Sequence, residues 1–167
     1  MFVLEMNILT HLEDYIQHFY NQLDIHSPTQ LNIDEIAQRL GISIFYWNEG
    51  SQALFINNSS FIFLNNMMLP NFKWQEFCHE LGHVLLHAGD QIRLPYSFVE
   101  YQEFKANNFA LHAAAPTFMI DELDLPNTYQ EAVRLLQDTF HISLTFACKR
   151  LDHYINNHLS LPSQIPW

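Results

Sequence analysis

Basic residues are scarce in this sequence. Its 167 residues include 7 lysines and arginines against 18 aspartates and glutamates, for a formal net charge of −11. Phosphate contacts dominate nucleic-acid affinity, so the shortage of cations argues against DNA or RNA as a direct partner. Cysteine is nearly missing as well: Cys78 and Cys148 are far apart in sequence and suggest no disulfide framework. That usage predicts a cytoplasmic protein. No stretch approaches the roughly 18 uninterrupted apolar residues of a membrane span. The opening Met1-Phe2-Val3-Leu4-Glu5-Met6-Asn7 lacks the basic region and long apolar run of a signal peptide. There are no internal repeats and no low-complexity linker. The expectation is one domain over 1–167, with a core at about 7–116, C-terminal helices at about 129–156 and a loose tail at 159–167.

What is present points to a compact fold. Hydrophobic residues make up 49% and charged residues 15%, with 14 phenylalanines to fill an aromatic core. Helical spacing predicts a helix over about 7–23 and a shorter one after Thr29 or Asn32, ended by Gly41. The period then changes. Segments 42–47, 52–57 and 60–65 alternate like strands and are separated by turns. They predict a small, mostly antiparallel three-stranded sheet packed on helices, an α+β fold. Further helices are expected at 99–115, 129–140 and 143–156.

Between the sheet and those later helices lies His79-Glu80-Leu81-Gly82-His83, in a helix opened by Pro70 and Asn71 and closed by Gly89. Histidines four apart stand one above the other on a helix face. Both imidazoles can bind one Zn²⁺, and the glutamate after the first can take a proton from a water on that ion. The helical phase supports this reading. Trp74, Phe77, Cys78, Leu81, Val84, Leu85 and Ala88 gather on one side, while His79 and His83 lie opposite with Glu80 beside them. His87 is two turns from His79, about 12 Å along the axis, too far for the same ion on a straight helix. It is read as a rim residue or a C-terminal cap. The third ligand must come from elsewhere. Glu100 and Glu103 share one face of the 99–115 helix with Ala106, Asn107, Ala110 and Ala114, and Asp90 is a rival in the loop before it. Periodicity does not choose among them.

These residues carry a resemblance. His79-Glu80-Leu81-Gly82-His83 with Leu86-His87, then Glu103-Phe104-Lys105-Ala106-Asn107-Asn108-Phe109-Ala110 and Pro116, resembles the ImmA/IrrE zinc metallopeptidases of bacteria, phages and mobile elements. The segment Ile36-Ala37-Gln38-Arg39-Leu40-Gly41-Ile42 resembles the family's N-terminal helix-to-strand passage. The resemblance implies a zincin-like fold, Zn²⁺ held by His79, His83 and Glu103, and Glu80 as general base. It also implies a helix-turn-helix repressor as the protein substrate. The sequence departs from the family at Leu111-His112-Ala113-Ala114-Ala115, where a leucine-rich run is usual. By helical angle His112 points away from Glu103 and is expected at the surface. A zinc endopeptidase could hold its substrate along an edge strand, with 60–65 as the candidate. The rival class is a binding module that holds metal and recognises a repressor without cutting it. A helix-turn-helix look over 131–151 is better explained as a packed helical hairpin.

Overall fold

The computed structural model describes residues 9–86 and 95–158. His87, Gly89, Asp90 and the tail 159–167 lie outside the described residues. Helix α1, His11–Gln22, begins with a capping box. Thr10 Oγ1 accepts from the Glu13 amide, and Glu13 accepts from the Thr10 amide at 2.8 Å. A short 3₁₀ turn follows over Pro28–Gln30. Helix α2, Ile33–Leu40, is capped by Asn32 and stopped by Gly41, whose φ of 68° suits glycine.

The sheet comprises β1, Ser43–Trp47; β2, Gln52–Ile56; and β3, Ser59–Asn65. Asn57 and Asn58, at φ 49° and 62°, form the two-residue turn that makes β2 and β3 a hairpin. The order is β1-β3-β2, with β1 parallel and β2 antiparallel to β3. The sheet is therefore mixed rather than mostly antiparallel, and β3 is its centre rather than an edge. The cause is the connection after β1. It passes over the end of β3, where Ser51 Oγ accepts from the Asn65 amide at 3.1 Å, so β3 lies between the other two strands. Stacking of Phe45 on Phe63, with ring centroids 5.2 Å apart, secures the parallel pair.

Helix α3, Pro70–Leu86, packs under the sheet, with Phe77, Cys78 and Leu81 buried against Ile62 and Leu64. Helix α4, Tyr96–Ala114, lies against α3. The short α5, Thr117–Ile120, leads to α6, Tyr129–Phe140, and α7, Leu144–His158. Among the described residues no helix is long and apolar enough to cross a membrane.

The last six residues of α4, 109–114, are all buried, because α1, α3 and α7 all pack against this helix. Its final carbonyls are taken in turn. Tyr20 Oη donates to Ala113 at 2.8 Å, Trp74 Nε1 to Ala114 at 3.3 Å, and Arg150 Nε to Ala115 at 2.7 Å. These are the acceptors a helix end leaves without partners. Beside them Glu13 accepts from Thr117 Oγ1 at 2.7 Å and pairs with His158 at 2.8 Å. His112 belongs to this buried region, at 3% exposure, and not to the surface. The expectation of a surface position fails because α1 and α7 cover His112, with Glu13 and His153 facing its ring.

Candidate metal centre

His79, Glu80 and His83 project from α3, and α4 brings Glu103 to them. The Nε2 atoms of His79 and His83 are 3.1 Å apart. Glu103 places Oε2 3.3 Å from His79 Nε2 and Oε1 3.2 Å from His83 Nε2. These three residues offer ligand atoms that all lie within 4.8 Å of one another. A tetrahedral zinc with bonds near 2.1 Å sets its ligands about 3.4 Å apart, so the observed spacings match the edges of such a polyhedron. Two imidazole nitrogens and a carboxylate oxygen are also donors of the kind zinc takes. The residues present therefore fit the ion.

The approach of α4 depends on Gly82. A Cβ built there would stand 3.0 Å from Phe109 Cδ1, 3.2 Å from Ala106 Cα and 3.3 Å from the Ala106 carbonyl oxygen. Glycine in α3 facing alanine in α4 lets the two backbones come close enough for Glu103 to reach both histidines. Glu100, one turn earlier, is exposed and is not part of the three-residue group. Asn107, expected on the inward face with Ala106 and Ala110, is exposed too.

Glu80 lies beside these donors, 6% exposed, and its carboxylate accepts a hydrogen bond from the backbone N–H of Ala53 on β2. Burial pushes its pKa up to about 8. The carboxylates of Glu76 and Glu103 push the same way, and the Ala53 hydrogen bond opposes them. A cation at the three donors would favour the charged form. A buried carboxyl whose basicity is raised, within reach of a cation site, is equipped to accept and return a proton near neutral pH.

The structure thus brings His79, His83 and Glu103 together, with Glu80 beside them; of the glutamates that periodicity left open, the one at the two histidines is the one the family resemblance implies. Sequence reasoning named Gly82 within the motif but gave it no role, and it missed Ala53. A glycine facing an E-x-x-A alanine is a signal that could have suggested helix contact. Nothing in Gln52-Ala53-Leu54 distinguishes the alanine that meets Glu80.

Comparison with known proteins agrees with this geometry. Residues 37–152 match the family model Peptidase_M78, described as the IrrE N-terminal-like domain. The chain is 36% identical over 146 residues to the phage-like element PBSX protein XkdA of Bacillus subtilis (strain 168), covering 87% of this chain and 74% of that protein. It is 32% identical over 145 residues to the uncharacterized protein YqaB of the same organism, covering 87% and 84%. Among solved structures, a Mycobacterium tuberculosis transcriptional regulator superposes with a TM-score of 0.63 at 15% identity. That match covers 96% of this chain and 60% of that one, and the likeness is one of fold.

Proposed function

The chain belongs to the Peptidase_M78 family of IrrE N-terminal-like domains, a metallopeptidase family, and from that premise we propose that it is a zinc-dependent endopeptidase. The substrate of this reading is a cytoplasmic helix-turn-helix repressor of a phage or mobile element. The observation that carries the peptidase reading is the meeting of His79, His83 and Glu103 around one point, with the buried Glu80 alongside. When bound, zinc supplies a Lewis acid that polarises the scissile carbonyl and activates water at neutral pH.

The chain's own residues do the rest. Glu80 takes a proton from the attacking water and delivers it to the leaving nitrogen. Its hydrogen bond from Ala53 orients the carboxylate and places it against β2. β2 pairs with β3 on one side and, among the described residues, with no strand on the other. β2, and not segment 60–65 at the centre of the sheet, is therefore the strand available to a substrate backbone.

The repressor comes from the resemblance to ImmA/IrrE enzymes and is supported by likeness to a phage-element protein. The net charge of −11 suits a basic DNA-binding partner through steering. The test is to mix the zinc-loaded protein with a repressor encoded beside its gene and to map fragments by mass spectrometry. Fragments formed by the wild type and absent with Glu80→Gln support the reading. An intact repressor that still binds the zinc-loaded protein favours the binding module that recognises without cutting.

A further inference from the structure

Away from the metal centre, a cavity of about 250 Å³ opens where several elements meet. Its walls come from the 3₁₀ turn and the start of α2, from β1, from the N-terminal part of α3, and from the end of α6. It shares no residue with the group His79, Glu80, His83 and Glu103. Trp74 and Phe140 line it and are both buried. The indole N–H of Trp74 is already donated to the Ala114 carbonyl at 3.3 Å. What Trp74 offers the cavity is therefore aromatic ring and no polar atom.

The mouth has a different chemistry. Asp34, Tyr46 and His141 line the cavity and are exposed. Burial, and after it the Asp34 carboxylate, pushes the pKa of the Tyr46 phenol up, so these two polar groups converge. Among the described residues no lysine or arginine lines the cavity. The ammonium of Lys73 stands 5.5 Å from the Tyr46 ring centroid, but it donates to the Asn66 carbonyl at 3.3 Å and is not part of the lining. His141 is held at the mouth against its backbone preference. It caps α6 at φ 53°, in the left-handed conformation where helices usually place glycine. Two residues on, the Ser143 amide donates to Gln75 Oε1 at 2.6 Å and ties this wall to α3.

Pockets for drug-sized ligands run to roughly 300–1,000 Å³. This one is smaller and suits an occupant the size of one side chain. A carboxylate at the mouth with aromatic rings behind it favours a cation. A compact ammonium is strongly hydrated, whereas a guanidinium is weakly hydrated, stacks on rings and pairs two N–H groups with a carboxylate. We propose that this cavity binds a guanidinium group, stacked against the rings of Trp74, Phe140 and Tyr46 and paired with Asp34. The group belongs either to a free alkylguanidine or to an arginine of a basic protein partner, and the net charge of −11 draws both.

The test is an NMR titration of the isotope-labelled full chain. Three capped amino-acid amides differ in the head of the side chain: arginine, its uncharged urea analogue citrulline, and norleucine. Arginine amide is expected to shift the signals of Asp34, Tyr46, Trp74 and His141 saturably. It should bind at least about tenfold more tightly than citrulline amide, the scale of one charge-assisted hydrogen bond. Asp34→Asn should lose that advantage and keep the zinc content of the wild type. Equal binding of arginine and citrulline amides overturns the proposal. So does norleucine amide that binds as tightly as arginine amide, which would make the cavity an apolar seat. Saturable shifts confined to the metal centre, or none at all, overturn it too. The citrulline comparison needs no altered protein, so it decides even if the variant folds poorly. Methylguanidine and a peptide with one central arginine then separate the sources. A peptide that binds more tightly than arginine amide assigns the group to a protein side chain. Methylguanidine that binds as tightly as the peptide assigns it to a free guanidine, and either assignment upholds the guanidinium site. None of these readouts depends on cleavage of a peptide bond, so the peptidase reading stands or falls separately.

Discussion

Gly82 and Ala106 face each other across α3 and α4 so closely that a Cβ on the glycine would stand 3.2 Å from the Ala106 Cα. The contact lies next to His83 and three residues from both His79 and Glu103. Alanine in place of Gly82 improves helix propensity by about 1 kcal/mol. It also pushes against the buried Phe109 ring and the Ala106 backbone, and overpacking of this kind costs about 1–3 kcal/mol. Gly82→Ala is expected to lower zinc affinity at least about tenfold, more than it lowers the melting temperature would suggest, because α4 shifts and Glu103 with it. Zinc titration and thermal melts of the same preparation check this. Unchanged affinity would show that the contact does not set the site.

Metal content should separate the two glutamates on α4. Wild type is expected to hold one zinc per chain. His79→Ala, His83→Ala and Glu103→Ala should each lose it on dialysis. Glu100→Ala should keep it, since Glu100 is exposed and outside the three-residue group. Elemental analysis of the purified proteins decides, and retention in Glu103→Ala with loss in Glu100→Ala would reverse the assignment.

Glu80→Gln should retain both zinc and fold. The amide oxygen still accepts from the Ala53 N–H, so β2 stays in place, but the proton acceptor is gone. Peptide-bond cleavage should fall by about 10²–10⁴, the usual range for a lost general base. Turnover within a few-fold of wild type would remove Glu80 from that role.

Acid should attack the fold through Glu13. Burial alone would raise its pKa. Hydrogen bonds from His158, the Thr10 amide, Thr117 and the Thr10 hydroxyl outweigh burial and lower it from 4.5 to about 2. As pH falls, the unfolded chain therefore binds the proton first. The carboxylate contributes about 3 kcal/mol that is fully present above pH 4.5 and is lost between there and about pH 2. Urea midpoints should drop steeply over that window in wild type. Glu13→Gln should be less stable at pH 7 and show a shallower fall, and equal slopes would contradict the linkage.

Much of this molecule is legible in its sequence. Helices α2, α6 and α7 follow from caps and apolar periodicity, with Asn32 and Gly41 doing as their types predict. The metal group is legible because spacing on a helix fixes geometry locally. The order of the sheet is not. Three short strands with good turns fit a simple meander, and only the path of the 48–51 connection over β3 decides otherwise. The burial of His112 is hidden from the sequence for a related reason. Phase tells inside from outside when a helix has one buried face, whereas the end of α4 has none exposed. The alanines that replace the family's leucine-rich run match this crowding, since Ala113, Ala114 and Ala115 let Tyr20, Trp74 and Arg150 reach their carbonyls.

Those three hydrogen bonds anchor the end of α4 to α1, α3 and α7 together, and displacement by one residue, about 1.5 Å, would break all three grips at once. Glu103 lies about 15 Å from that anchor. Between the two, Ala106 meets Gly82 of α3. The carboxylate at the metal centre is thus positioned from two fixed points along one helix, and the buried alanine end of α4 acts on the site through the register it imposes.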